Sequence, residues 1–166
     1  WMLFRKPISE RTVAENLRKW KTGALRRLAE DKPLPDAIPS GRTPKREEAI
    51  ADHPCLKPQH FMRILVRALL PLGQGTILDP FMGAGSTIAA ANAVGYEAVG
   101  LELDAEYFAL AQKSIPRLAA LYPGFRGQEI EVELNGHVEH FEADTQMALA
   151  LAESPASYRL PSGRRR

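Results

Sequence analysis

Apolar residues recur along this chain in two rhythms. From Gln59 to Leu70, QHFMRILVRALL, Phe61, Ile64, Leu65, Ala68 and Leu69 follow three- and four-residue spacing, which predicts a helix. Arg63 and Arg67 lie four apart and fall on one face. Pro71 and Gly73 should stop this helix. Thr76 to Leu78 then reads as a buried strand, with Gly83 and Gly85 making a turn. Ser86 to Val94, rich in alanine, reads as a helix that packs closely on a sheet and ends at Gly95. Glu97 to Leu103, EAVGLEL, is a second strand. Asp104 should cap the following helix, AEYFALAQKSIPRLAAL, which Pro116 is expected to kink or split. Strand, turn, helix, strand, helix is the order of a parallel α/β sheet.

The flanks are less regular. WMLFRKP, residues 1–7, reads as a short apolar strand ending in a basic turn. Residues 12–29 are partly helical, with Thr12 and Glu15 spaced as in a capping box. KPLPDAIPSGRTPKR, residues 32–46, holds four prolines and one glycine and reads as a loop. EIEVELNGHVEHFE reads as a hairpin: Ile130, Val132 and Leu134 alternate, and Asn135-Gly136 suits a type I′ turn. The SGRRR end reads as a disordered tail. There are no internal repeats.

Composition adds mainly exclusions. The 166 residues, 45% apolar and 25% charged, suffice for one soluble domain with a real core. No apolar run approaches the roughly 18 residues of a membrane span, and the N-terminus lacks a secretory pattern. The single cysteine, Cys55, excludes an internal disulfide and a four-cysteine metal site. A cytoplasmic setting fits, with no metal and no membrane partner expected. Net charge is +2, but residues 1–50 carry 12 Lys/Arg against 7 Asp/Glu, and the remainder 10 against 13. The basic excess therefore sits in the first segment, where it would favour a polyanion.

The glycine turn carries the chemistry. In ILDPFMGAGST the glycines permit close backbone approach to a ligand, and the next helix points free N–H groups at the turn. Glu102 follows Gly83 by 19 positions, where an acid in doubly wound folds accepts hydrogen bonds from ribose hydroxyls. A phosphate-binding loop needs a lysine that Gly85-Ser86-Thr87 lacks. A dinucleotide fingerprint wants glycine at position 88, which is Ile88, so a nicotinamide dinucleotide is disfavoured but still open. S-adenosylmethionine needs no anion nest, and Asp79 is well placed for its cationic amino-acid end.

Together these residues resemble a known family. His53-Pro54 with Lys57-Pro58, Asp79-Pro80-Phe81 with the Gly83–Thr87 turn, and Gly100-Leu101-Glu102 with Tyr107 are similar, in this order, to the cofactor-binding region of DNA amino-methyltransferases acting on adenine N6 or cytosine N4. The likeness covers residues 52 to 111, about a third of the chain. It implies an α/β, Rossmann-like S-adenosylmethionine-dependent methyltransferase fold with an incomplete parallel sheet and a C-terminal hairpin. It also implies site-specific methylation of double-stranded DNA, as in restriction–modification. Asp79, Phe81, Gly83 and Gly85 would line the methionine end of the cofactor. Ser86 and Thr87 would cap the helix and reach the carboxylate. Glu102 would hold the ribose, and Lys57 and Pro58 would close the pocket from the preceding helix. His53 is expected to order a loop and Tyr107 to pack its helix on the sheet. The implied organisation is an end of a catalytic subdomain at 1–7 and a basic DNA-facing segment at 8–51. A cofactor core at 52–125, an acidic extension at 126–154 and a tail at 155–166 would follow. Arg18, Lys19, Lys21, Arg26 and Arg27 are the candidates for phosphate contact.

One family motif is absent. An exocyclic base amine is a poor nucleophile because its lone pair is delocalised into the ring. The family uses an Asp/Asn/Ser-Pro-Pro-aromatic motif to draw on the N–H bonds and to stack on the flipped-out base. No such motif occurs here, so no catalytic residue is assigned. The arrangement resembles the permuted order with the catalytic half first, which would put the motif upstream of Trp1. The chain is therefore expected to be a C-terminal piece, inactive alone, with an exposed sheet edge where the missing strand would pair. The alternative is a decayed remnant that binds S-adenosylmethionine or DNA without catalysis.

Overall fold

The computed structural model describes residues 3–28, 33–38, 40–123 and 125, and the backbone of 132–134 and 137–139. The first helix, α1 (Val13–Trp20), begins at Thr12, whose hydroxyl accepts from Glu15 N–H at 3.1 Å, as the spacing predicts. It ends at Lys21 in the left-handed conformation. A short turn of helix, α2 (Lys45–Glu48), interrupts the proline-rich loop. Then come α3 (Gln59–Leu69), β1 (Thr76–Asp79), α4 (Ser86–Val94), β2 (Glu97–Gly100) and α5 (Ala105–Ala120). A separate antiparallel pair, β3 (Val132–Leu134) and β4 (His137–Glu139), forms the expected hairpin, with Leu134 opposite His137. Its Asn135-Gly136 turn, most of the 126–154 extension and the 155–166 tail lie outside the described residues.

β1 and β2 pair in parallel, with Ile77 beside Ala98 and Leu78 beside Val99, and α4 forms the crossover between them. The alanine-rich sequence of α4 explains its central position. Ala89, Ala90 and Ala91 are fully buried, and their small side chains let α3, α5 and both strands approach the helix axis. Phe61, Met62 and Val66 of α3 meet Ile77, Ala90, Ala91 and Tyr96 in the main cluster. Leu118 of α5 joins Ala51, Leu56, Ala84 and Ala89 in a second.

Among the described residues only one face of this sheet is covered. Leu78 is 63% exposed, Val99 48% and Leu101 54%, so the expectation of a fully buried strand fails. Alternation puts these side chains on the face opposite Ile77 and Ala98. Among the described residues β1 pairs with β2 alone, so its other edge has no strand beside it. No helix of the described residues is long and apolar enough to cross a membrane.

Three other expectations change. Residues 3–8 form no strand; Phe4 is exposed, and no described strand lies beside this segment to supply ladder bonds. Pro116 does not split α5, which runs through it. Pro116 and Gln112 are both exposed, so the carbonyl four residues earlier that loses its N–H partner can bond to water. Arg63 and Arg67 do share a face, but an inward one. Both are buried, and the Arg63 guanidinium donates to the carbonyls of Leu118, Ala119, Leu121, Tyr122 and Phe125 at 2.6–3.2 Å. It thereby satisfies the end of α5 with one fixed cation. Arg67 donates to the Arg27 carbonyl at 3.0 Å; burial, and then Arg26 nearby, lower its pKa to about 10, so it stays charged at neutral pH.

Replacing Arg63 by methionine keeps the bulk but strips these carbonyls of their donor. We expect a loss of about 3 kcal/mol in urea unfolding of the chain. A change within about 0.5 kcal/mol would show that the carbonyls find other partners.

Candidate functional site

The turn between β1 and α4 is held in a single shape. Gly83 has φ +52° and Gly85 φ +83°, left-handed values that glycine adopts without strain. Close approach matters as well, but it comes from the chain itself. A Cβ on Gly83 would lie 2.9 Å from the His53 ring, and one on Gly85 would overlap Ile115 of α5. The two glycines thus make room for His53 and α5, a role the ligand-based reading did not include.

Glu102 closes the turn from the other strand. Beyond β2 the chain stays beside β1, with Leu101 N–H on the Asp79 carbonyl and Met82 N–H on the Leu101 carbonyl, both at 2.9 Å. The Glu102 carboxylate then accepts from Gly83 N–H at 2.8 Å through Oε2 and from Asp104 N–H at 2.9 Å through Oε1. These backbone donors, Asp104 first and Gly83 next, hold its pKa below the ordinary 4.5. Two N–H groups leave carboxylate lone pairs unused, so the acid retains capacity for hydroxyl donors. Asp104 caps α5 as expected, accepting from Glu106 and Tyr107 N–H. On the β1 side, Asp79 Oδ1 accepts from Phe81 N–H at 3.1 Å. Phe81 is 88% exposed, an uncovered aromatic ring beside the turn.

Ser86 and Thr87 depart from their expected capping role. Gly85 is the N-cap of α4 and no side chain caps the helix. The Ser86 hydroxyl instead accepts from Lys57 N–H at 3.1 Å, joining the lysine–proline segment to the first turn of α4. Lys57 lies in the loop before α3, with Pro58 as the N-cap, and Lys57 Nζ donates to the Cys55 carbonyl at 2.7 Å. His53 orders this loop as expected, accepting from Cys55 N–H through Nδ1. The Tyr107 ring meets His53 edge-on at 4.4 Å. The structure therefore brings Lys57, Ser86, Gly83, Asp79 and Glu102 around one turn. No cluster of three or more His, Cys, Asp or Glu suited to a metal occurs among the described residues.

Residues 6–113 match the N6_N4_Mtase family model, described as DNA methylase. The chain belongs to this family. Among curated proteins, this chain is 30% identical over 91 residues to type II methyltransferase M2.DpnII of Streptococcus pneumoniae. It is 28% identical over 91 residues to M2.LlaDCHI of Lactococcus lactis subsp. cremoris. Each match takes in 55% of this chain and 34% of the relative, so the chain spans about a third of their length. A solved Thermus thermophilus protein described as a DNA modification methylase, complexed with S-adenosyl-L-methionine, aligns with TM-score 0.36 and 27% identity. That alignment covers 55% of this chain and 42% of the other.

A cavity of about 750 Å³ lies elsewhere, against residues 3–9, Trp20 and Leu25. Two of the basic candidates are already engaged within the protein. Arg26 donates to the Tyr96 hydroxyl at 2.7 Å, and Lys19 pairs with Glu10 at 2.7 Å. Sequence reasoning missed Glu47, Gln59 and Tyr122, which are bonded into the core beneath the turn. Glu47 has no exposed surface, although it lies in the segment expected to face DNA. Its only sequence signal was an acid among prolines, which no periodicity marks as buried.

The Glu102 latch has a defined pH dependence. Its folded-state pKa is depressed, so its contribution is present above 4.5 and is lost as pH falls through the lower folded value. In heteronuclear NMR the Gly83 amide resonance should move with a midpoint below 4.5, and Glu102→Gln should abolish that movement. A midpoint at or above 4.5 contradicts the latch.

Proposed function

We propose that this chain is the S-adenosylmethionine-holding part of a DNA amino-methyltransferase that acts in the cytoplasm on adenine N6 or cytosine N4. One observation carries the reading: Glu102, two residues beyond β2, is bonded to Gly83 of the glycine turn, so acid and turn form one site. The residues present suit this cofactor. Asp79 and Glu102 supply anionic oxygens for an ammonium group and for ribose hydroxyls, while no lysine of a phosphate loop stands at the turn. Bound there, the cofactor would supply an electrophilic methyl group.

The remaining roles belong to the chain itself. Glu102 orients the ribose through the lone pairs that Gly83 and Asp104 leave free. Asp79 takes the amino-acid end, with Phe81, Gly83 and Gly85 around it, and Ser86 and Thr87 serve the carboxylate. Lys57 and Pro58 close the pocket from the loop before α3. Groups that draw on the target amine's N–H bonds are to come from the catalytic half that the chain lacks. The uncovered face of Leu78, Val99 and Leu101, with the open edge of β1, supports docking of that half. Arg18, Lys21 and Arg27 are proposed to contact DNA phosphates.

Calorimetric titration with S-adenosylhomocysteine should show one site per chain, and NAD should give no heat. Binding of NAD alone would overturn the choice of cofactor. Unmethylated DNA should gain no methyl groups from the chain alone, and should gain them once an upstream half carrying the Pro-Pro-aromatic motif is joined. Turnover by the chain alone would contradict the division of labour.

A further inference from the structure

A chain of buried and part-buried hydrogen bonds reaches the glycine turn from α2 and from the end of α5. Glu47, on α2, has no exposed surface. Its Oε2 accepts from the backbone N–H of Gln59, the first residue of α3, at 2.9 Å, and its Oε1 accepts from the Tyr122 hydroxyl at 2.8 Å. Arg46 Nε donates to the same hydroxyl at 2.8 Å, and its guanidinium lies 3.7 Å from the centre of the Tyr122 ring. Arg63 holds the Tyr122 carbonyl at 3.2 Å. Gln59 is equally buried, and its side-chain Nε2 donates to the Ser86 carbonyl at 3.0 Å. Lys57 N–H donates to the Ser86 hydroxyl at 3.1 Å. Two bonds from the Lys57–Gln59 segment therefore hold Ser86, the residue directly after Gly85.

This arrangement costs stability. Gln59 Oε1 has no partner among the described residues, and an amide satisfied at one end is worse for a core than an apolar side chain. A buried carboxylate adds its own desolvation cost. Such groups are better explained by the position they impose than by the energy they contribute. Burial, and next the bond to Glu47, raise the Tyr122 pKa to about 12, so its hydroxyl remains a donor at physiological pH.

We propose that Glu47, Gln59 and Tyr122 are positioning residues that set the height of Lys57 and Ser86 at the cofactor turn without touching the cofactor. The proposal rests on the S-adenosylmethionine reading for its function and on the geometry alone for the coupling. The test uses the 166-residue chain, S-adenosylhomocysteine calorimetry and native-state amide exchange. In Tyr122→Phe the dissociation constant should rise about tenfold, and protection of Lys57 N–H should fall about tenfold. Amides of the β1–β2 ladder should keep their protection. Leu28→Ala removes a buried side chain packed with Ile64 and controls for general destabilisation; it should lower the melting temperature without changing affinity or the exchange of Lys57. Glu47→Ala should match Tyr122→Phe, and Glu47→Gln, which keeps an acceptor for Gln59 N–H, should recover most of the affinity. Unchanged Lys57 protection in Tyr122→Phe, or equal loosening of all amides, overturns the proposal. If the unaltered chain does not bind S-adenosylhomocysteine, the cofactor reading fails by itself, and exchange at Lys57 still decides whether Tyr122 controls the turn.

Discussion

The structure around the candidate site depends on one interaction, the acceptance by the Glu102 carboxylate of the Gly83 N–H at 2.8 Å. A glycine turn is a flexible stretch, and glycine loses more freedom on folding than any other residue. Without an anchor its N–H groups and its two left-handed residues would sample many shapes. The carboxylate fixes one of them and ties it to the end of the neighbouring strand. The acid and the turn then move as a unit, and any ligand that spans them meets a preformed surface. Preorganisation of this kind lowers the ordering cost of binding.

Helix α4 makes that anchor possible from below. Its buried alanines bring α3, α5 and both strands close enough for the turn to be packed on several sides. His53 covers Gly83, and Ile115 of α5 covers Gly85. Arg63 closes the far end of α5 with a charge taken out of solvent, and Glu47, Gln59 and Tyr122 connect that end to Ser86. Polar groups inside the core thus link regions that the apolar clusters alone would leave free to slide. The sheet face that carries Leu78 and Val99 has no such support among the described residues.

Much of this was legible in the sequence because the signals were local. Helical spacing marked α3, Thr12 and Asp104 marked their helix starts, and Gly95 marked an end. The order of Lys57, Asp79, the glycines and Glu102 was enough to place the chain with its family. What stayed hidden depended on distant partners. Arg63 and Glu47 look like surface charges until the end of α5 and the start of α3 are brought to them. Pro116 looks like a break until its exposed position shows that solvent can satisfy the freed carbonyl. Leu78 reads as core because its pattern anticipates a covering layer that the described residues do not provide.

The central claim is that Glu102 and the Gly83 turn form a single binding site for an adenosyl ligand. A structure of the chain with S-adenosylhomocysteine tests it most directly. The account predicts both ribose hydroxyls within hydrogen-bond reach of the Glu102 carboxylate, with the amino-acid end at Asp79 and the Gly83 N–H bond intact. A ligand seated instead in the cavity beside Trp20, with Glu102 untouched, would contradict it.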